Sequence, residues 1–227
     1  MNEIKTKKDF SEFISEYTYS TKNYLFRGVK KESYKLIPTI GRFKTNKNKE
    51  ITKSDEELIL KLFKQKAFTF IKEHINNKLE LLAIAQHHGI PTRLLDWTTN
   101  PLVALYFAVG EKFEDYEKEE DSLIYIYNLK KQTKIEPDFD PFKITRVERF
   151  IPRYYDPRII SQSGQFTVHP NPNQSFESKE ISAIKIGYQK RLEIKKALNK
   201  IGINESTLFP DIDGIAKYIK WLRTSEH

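Results

Sequence analysis

The apolar positions of this chain recur at helical spacing in some stretches and as unbroken β-rich runs in others, and those changes mark its elements. The first helix is predicted within residues 1–20, around Asp9-Phe10-Ser11-Glu12-Phe13-Ile14, and it leads into a turn. Tyr24-Leu25-Phe26 then reads as a strand closed by Arg27-Gly28. Residues 41–53 are rich in Lys, Asn and Thr and read as an exposed loop. Ser54 and Glu57 form a capping-box pattern ahead of Leu58, Leu62, Phe63, Phe70 and Ile71, which predicts a long amphipathic helix. A second helix is expected over 79–88, stopped by Gly89 and Pro91.

Thr99-Asn100-Pro101 supplies a cap and a first-turn proline for a third helix over 102–109. That helix is apolar all round and is therefore expected to be central and buried. The acidic stretch 111–121 holds seven acidic residues against two Lys and reads as a solvated insertion. Ser122-Leu123-Ile124-Tyr125-Ile126-Tyr127 is apolar on both faces, which places it inside a sheet. Residues 137–157 are proline-spaced and irregular, strands follow at 165–168 and 181–186, and helices close the chain over 189–201 and 212–222. This order lacks a regular βαβ alternation. It predicts an α+β fold, with a mixed, mainly antiparallel sheet and helices packed around it. One domain covering 1–227 is expected.

Composition narrows the chemistry. There is no cysteine, so neither disulfides nor thiolate metal sites are available, and five histidines offer little toward a metal cluster; none is expected. Met1 leads into Asn2-Glu3-Ile4-Lys5 without a signal-like apolar stretch, and no run approaches a membrane span, so a cytoplasmic, soluble protein is expected. The net charge of +8 favours a polyanionic partner, either a nucleotide or a nucleic acid. The helix over 189–200 carries Lys190, Arg191, Lys195, Lys196 and Lys200 against Glu193, which suits phosphate contacts or a solvated face. Neither a Walker loop nor GxGxxG is present.

Two clusters carry candidate chemistry. Arg27 at a strand end presents a rigid fork of donors, either to a phosphate or carboxylate ligand or to an internal Asp. Gly28 beside it removes bulk where a ligand would approach. The segment Ala85-Gln86-His87-His88-Gly89-Ile90-Pro91-Thr92-Arg93-Leu94-Leu95-Asp96-Trp97-Thr98 is densely polar and lies between two apolar helices. It must cross the interior or line a cleft, as an Arg93–Asp96 salt bridge or as a pocket walled by Trp97. His87 and His88 are acid–base candidates, and adjacent helical residues point apart, so at most one faces a site. Asp211 and Asp213 only faintly resemble a metal pair.

Phe26-Arg27-Gly28, the 85–98 segment, Asn100-Pro101 and Ala104-Leu105-Tyr106-Phe107-Ala108 together resemble the FRG domain, a bacterial and phage family named for its first motif. Later stretches, Gln162-Ser163-Gly164-Gln165-Phe166-Thr167 and residues 202–215, extend the likeness over about 20–220. A looser resemblance is to Arg-type ADP-ribosyltransferases, which order an aromatic-Arg-Gly strand, a Ser/Thr strand and an apolar helix. It implies an ADP-ribosyltransferase-like fold that uses NAD as a toxin or defence effector. Arg27, Thr98, Gln162 and Glu205 are then the catalytic candidates. Gln86, His87, Arg93, Asp96, Trp97 and Phe166 would bind the ligand beside Arg27 and Gly28. Those transferases carry a late Glu where this chain has Gln162-Ser163-Gly164-Gln165, so Glu205 or Asp96 would supply the carboxylate. The competing reading is a non-catalytic module that binds nucleotide or nucleic acid.

Overall fold

Local rules account for most of the helices in the computed structural model, which describes residues 2–71, 75, 77–110, 120–129, 134–136, 138–153 and 156–224. Thr6 and Asp9 exchange bonds in a capping box that starts α1, Lys7–Thr18. α2 spans Lys53–Lys66, and its capping box is formed by Thr52 and Asp55 rather than by Ser54 and Glu57. Both pairs have the right spacing. Thr52 has the extended backbone an N-cap requires, while Ser54 is already helical. The helix also ends before Phe70, which is left in a turn and exposed.

α3 covers Lys78–His87 from its Asn77 cap, and Gly89 follows it with φ of 86°, the left-handed conformation that ends a helix cheaply only at glycine. α4 covers Pro101–Ala108 behind Asn100 and is buried, as its all-apolar sequence predicts. α5 (Pro157–Ser161), α6 (Arg191–Lys200), α7 (Glu205–Leu208) and α8 (Ile212–Arg223) complete the described helices. None is long and apolar enough to cross a membrane. Of the acidic stretch 111–121, only Glu120 and Asp121 belong to the described residues.

Among the described residues seven strands form one sheet: β1 (Glu3–Ile4), β2 (Tyr24–Val29), β3 (Leu94–Thr98), β4 (Ser122–Asn128), β5 (Glu148–Phe150), β6 (Gly164–Val168) and β7 (Ile181–Ile186). Their order is β1-β7-β4-β2-β3-β6-β5. Only β1–β7 is parallel, so the sheet is mixed and mainly antiparallel, within an α+β fold. β4 lies inside it, paired at six positions with β2 and at six with β7, as its apolar faces predict.

The sheet has one weak seam. β2 and β3 share a single register pair, Phe26 with Thr98, whereas β3 and β6 share five. Two cores flank the seam. On one side α4 packs with Phe26, Ile124 and Ile184. On the other, α3 packs with Leu94, Phe166 and Val168. A third cluster, including Leu25, Leu95, Trp97 and Tyr127, seals the opposite face of the sheet.

β2 continues through Arg27-Gly28 to Val29 instead of closing there. A Cβ on Gly28 would sit 1.8 Å from the Ala104 carbonyl oxygen, so this glycine admits the backbone of α4. Its absent side chain serves helix packing, and the residue also lines the cleft described below.

Candidate functional site

The seam between β2 and β3 opens into a cleft of about 450 Å³, within the range typical of small-molecule sites. Gln86 and His87 of α3 wall one side and Phe107 of α4 the other, while Arg27, Asp96 and Thr98 come from the two strands. Arg27 spans the gap: its Nη1 donates to the Asp96 backbone carbonyl at 2.7 Å and lies 3.5 Å from Oδ2 of the same residue. Its Nε is buried and has no hydrogen-bond partner among the described residues.

Asp96 is also held by Gln86, whose Nε2 donates to Oδ1 at 2.6 Å. Thr92 donates to Gln86 Oε1, which fixes the amide's orientation. The carboxylate therefore has a defined position at the mouth while remaining exposed on 55% of its side chain. It is the only carboxylate lining this cleft among the described residues.

A second guanidinium lies in the same cleft. Arg42 ends a short 3₁₀ turn and clamps the Ile37 carbonyl with Nε and Nη2, at 2.9 and 2.7 Å. Burial lowers its pKa, and the nearby Arg27 cation lowers it further, an electrostatic sign that the two charges feel each other. Arg158 adds a third guanidinium, tied to Asp211 through Nε at 2.9 Å and stacked 5.5 Å from the Phe209 ring.

Reading by sequence did not single out Arg42 or Arg158. Arg42 lies in the 41–53 stretch whose sequence reads as exposed loop. The cue was the apolar Leu36-Ile37-Pro38-Thr39-Ile40 run just before it, whose Leu36 and Ile40 are buried. Arg158 follows Asp156-Pro157, a cap and first-turn proline inside a region read as irregular.

Several expected site residues do line the cleft, with particular duties. The Thr98 hydroxyl donates to the Gln162 carbonyl at 2.6 Å and accepts from the Asn100 N–H, so it ties the end of β3 to the 162–164 turn. Gln162 donates to the Leu208 carbonyl at 3.1 Å. Trp97 is buried, its Nε1 donating to Thr167, and Phe166 is a buried wall. His87 lies 3.2 Å from Asp156; burial lowers its pKa, opposed by the Asp156 charge, so it favours the neutral imidazole near neutrality. His88 is exposed at the helix end, so of the two histidines His87 alone lines the cleft.

Two expectations are corrected. Arg93 does not pair with Asp96 and does not line the cleft. It is 2% exposed, with Nη2 and Nε on Glu56 at 2.7 and 3.0 Å and Nη1 on the carbonyls of Pro141 and His169. Strand alternation explains this: Asp96 lies an odd number of positions beyond Arg93 and so faces the other side of the sheet, at the open mouth, whereas Arg93 just precedes the strand and meets Glu56 of α2. Glu205 does not join Arg27 either. It caps a separate cavity, where Tyr106 donates to its carboxylate and Lys217 lies 3.7 Å away. Its place on the short α7 turns it away from the seam.

The 189–200 helix is less of a basic face than its sequence suggests. Arg191 and Lys195 are buried, with Arg191 donating to the Lys30 carbonyl at 2.6 Å. Asp211 caps α8 through the Gly214 N–H, and its pKa is lowered first by that bond and then by Arg158. No three His, Asp or Glu side chains gather as a metal site among the described residues.

The cleft thus stands on a strand with an aromatic-Arg-Gly sequence, a polar crossing segment and a buried helix. The FRG domain family model matches residues 22–117, which hold all three. Arg27, Arg42, Gln86, Asp96, Thr98 and Phe107 lie inside that match, while Arg158, Gln162, Phe166 and Phe209 complete the cleft from outside it. No curated protein matches the chain, and no solved structure does.

Proposed function

We propose that the seam cleft binds a phosphate-bearing nucleotide, with NAD as the substrate, and that the protein is an ADP-ribosyltransferase or NAD glycohydrolase. The observation that carries this reading is Arg27 bridging the opened β2–β3 seam, with the Arg42 guanidinium lining the same cleft. Two forks of donors suit a pyrophosphate, and the unpartnered Arg27 Nε adds a buried donor. Phe107 and Phe166 offer apolar surface for a base or nicotinamide ring.

Asp96 takes the role for which Glu205 and Asp96 were rival candidates. In the reaction the bond from the ribose C1′ to the nicotinamide nitrogen breaks and its electron pair leaves with neutral nicotinamide. The Asp96 carboxylate stabilises the oxocarbenium-like centre. Water or an acceptor nucleophile then bonds to C1′ and loses its proton.

A second reading, nucleotide binding without turnover, has its own support. The polar lining includes the amides of Gln86, Gln162 and Gln165, and the Asp96 carboxylate is already engaged by Gln86 and Arg27. One experiment separates the two. Purified protein is titrated with NAD by calorimetry, and nicotinamide release is followed with labelled NAD in the presence of cell extract. Asp96→Asn should retain NAD affinity and lower release by on the order of 10²–10³-fold. Arg42→Gln, which leaves the Arg27 bridge in place, should weaken binding by about tenfold. Binding without release selects the second reading, and neither binding nor release rejects both.

A further inference from the structure

Arg42 ends its 3₁₀ turn in the wall of the seam cleft, and a basic hairpin leaves the wall at that point. Lys44 and Glu50 pair in an antiparallel bridge, and the Thr45 N–H donates to the Lys49 carbonyl at 2.8 Å. Asn48 closes the tip at φ of 58°, a left-handed conformation that Asn tolerates, and its N–H donates to the Thr45 carbonyl. The hairpin is pinned on both sides of its base. The Ile40 N–H donates to the Thr92 carbonyl at 3.1 Å, and the Asn173 amide donates to the Ile51 carbonyl at 3.4 Å. It therefore has a fixed seat beside the cleft.

The lysines of the hairpin do not hold the fold together. Lys44, Lys47 and Lys49 are exposed, and among the described residues none of them is ion-paired. Glu50 alone stands against them, so residues 44–50 carry a net charge of +2, three Lys less one Glu. Phe43, at the foot of the hairpin, is 54% exposed, and Tyr34, another residue of the cleft wall, is 49% exposed. Flat rings left in water beside unpaired ammonium groups suit a polyanion that also offers planar faces. An acidic peptide engages the lysines and leaves the rings idle, and a duplex keeps its base faces stacked inside. A single strand uses both features.

We infer that the 43–49 hairpin binds single-stranded nucleic acid, with phosphates on Lys44, Lys47 and Lys49 and a base on Phe43, and leads the strand to the cleft at Arg42 and Tyr34. The strand is then the acceptor in the reaction proposed above. A nucleophilic nitrogen or oxygen of the strand bonds to C1′ as nicotinamide leaves with the electron pair of the broken bond, and its proton passes to water. That acceptor role rests on the NAD reading of the cleft, and the binding itself does not.

The test uses the whole chain and fluorescein-labelled single strands of dT and of U, read by fluorescence anisotropy over a range of salt concentrations. Saturable binding of at least one strand is expected, and the tighter one identifies DNA or RNA. The triple variant Lys44→Gln, Lys47→Gln, Lys49→Gln should bind more weakly, and its plot of log affinity against log salt should be shallower by about 2, at roughly 0.7 per phosphate contact. Phe43→Leu keeps an apolar side chain without the ring and should weaken binding about fivefold or more. Neither variant should move the thermal midpoint, because all four side chains are exposed. Absence of binding at micromolar protein in low salt overturns the inference. So does a triple variant that binds as the wild type does, or a Phe43→Leu variant without loss. Polyglutamate or duplex DNA that displaces the strand as well as unlabelled strand does also overturns it. NAD calorimetry on the triple variant keeps the two readings apart: NAD bound with no strand bound rejects only the hairpin, and strand bound to wild type with no NAD bound rejects only the cleft's NAD reading.

Discussion

Arg93 and Arg27 are both arginines next to apolar strand residues, and their fates differ because of what faces them. Arg93 meets Glu56 in full burial, with both sides of the pair under 10% exposed. Burial raises the Glu56 pKa against the opposing pull of Arg93, so the pair holds its charge only because the geometry is good. Glu56→Gln should therefore destabilise the fold by about 3–5 kcal/mol, measured by urea unfolding, because Arg93 is left as an uncompensated buried cation. The double variant Glu56→Met with Arg93→Met should regain most of that loss. A single-variant loss below about 1 kcal/mol would show that Arg93 is not held by this pair. Nothing in the local sequence distinguishes the two arginines: the partner of Arg93 lies 37 residues upstream, and Asp96 was the nearer acid.

At the level of elements, periodicity and caps were readable and pairing was not. The α4 helix, the Asn100-Pro101 start, the Gly89 stop and the inner β4 strand follow from local pattern alone. β1, β5 and α5 are two, three and five residues long, too short to show a period. β3 was hidden for another reason. Its Leu94-Leu95-Asp96-Trp97-Thr98 sequence interrupts the apolar run with an acid, because Asp96 lies where the sheet opens. The polar density of the 85–98 segment falls on the cleft, but the other cations there, Arg42 and Arg158, come from a distant 3₁₀ turn and from α5. Gly28 sets the tolerance of this arrangement. Gly28→Ala forces a methyl into the α4 backbone and should cost about 3 kcal/mol or more, with a matching fall in the denaturation midpoint. Gly187, around which a Cβ would meet open space, should accept Ala with less than about 0.5 kcal/mol of change.

Across the whole molecule, the cleft and the stability of the fold are joined through a buried histidine. His169 lies behind the sheet, and its pKa is pushed down to about 3 by burial first, then by the Arg27 and Arg93 charges. Its Nε2 is 2.8 Å from the Thr167 hydroxyl, which accepts from the Trp97 indole at 2.9 Å. With the indole donating to it, the Thr167 hydroxyl still has its own proton to give to Nε2 of a neutral His169. In the unfolded chain a histidine titrates near 6.5. Between that pH and about 3 the unfolded state binds a proton that the fold refuses. The stabilisation is therefore complete above pH 6.5 and falls by about 1.4 kcal/mol per pH unit as acid is added. Glu56 and Glu80, raised by burial, act in the opposite sense, and carboxylates such as Asp211, lowered by their bonds, act in the same one. These contributions are common to the wild type and a His169 variant. The quantity to measure is thus the difference between wild type and His169→Gln, which keeps an acceptor and cannot titrate. Urea unfolding from pH 7.5 to 4.5 should give a wild-type curve that drops more steeply than the variant's below pH 6.5. The gap in slope should approach one proton. Parallel curves would mean that His169 takes up its proton in the fold, and that the Thr167 link leaves Trp97 free of it.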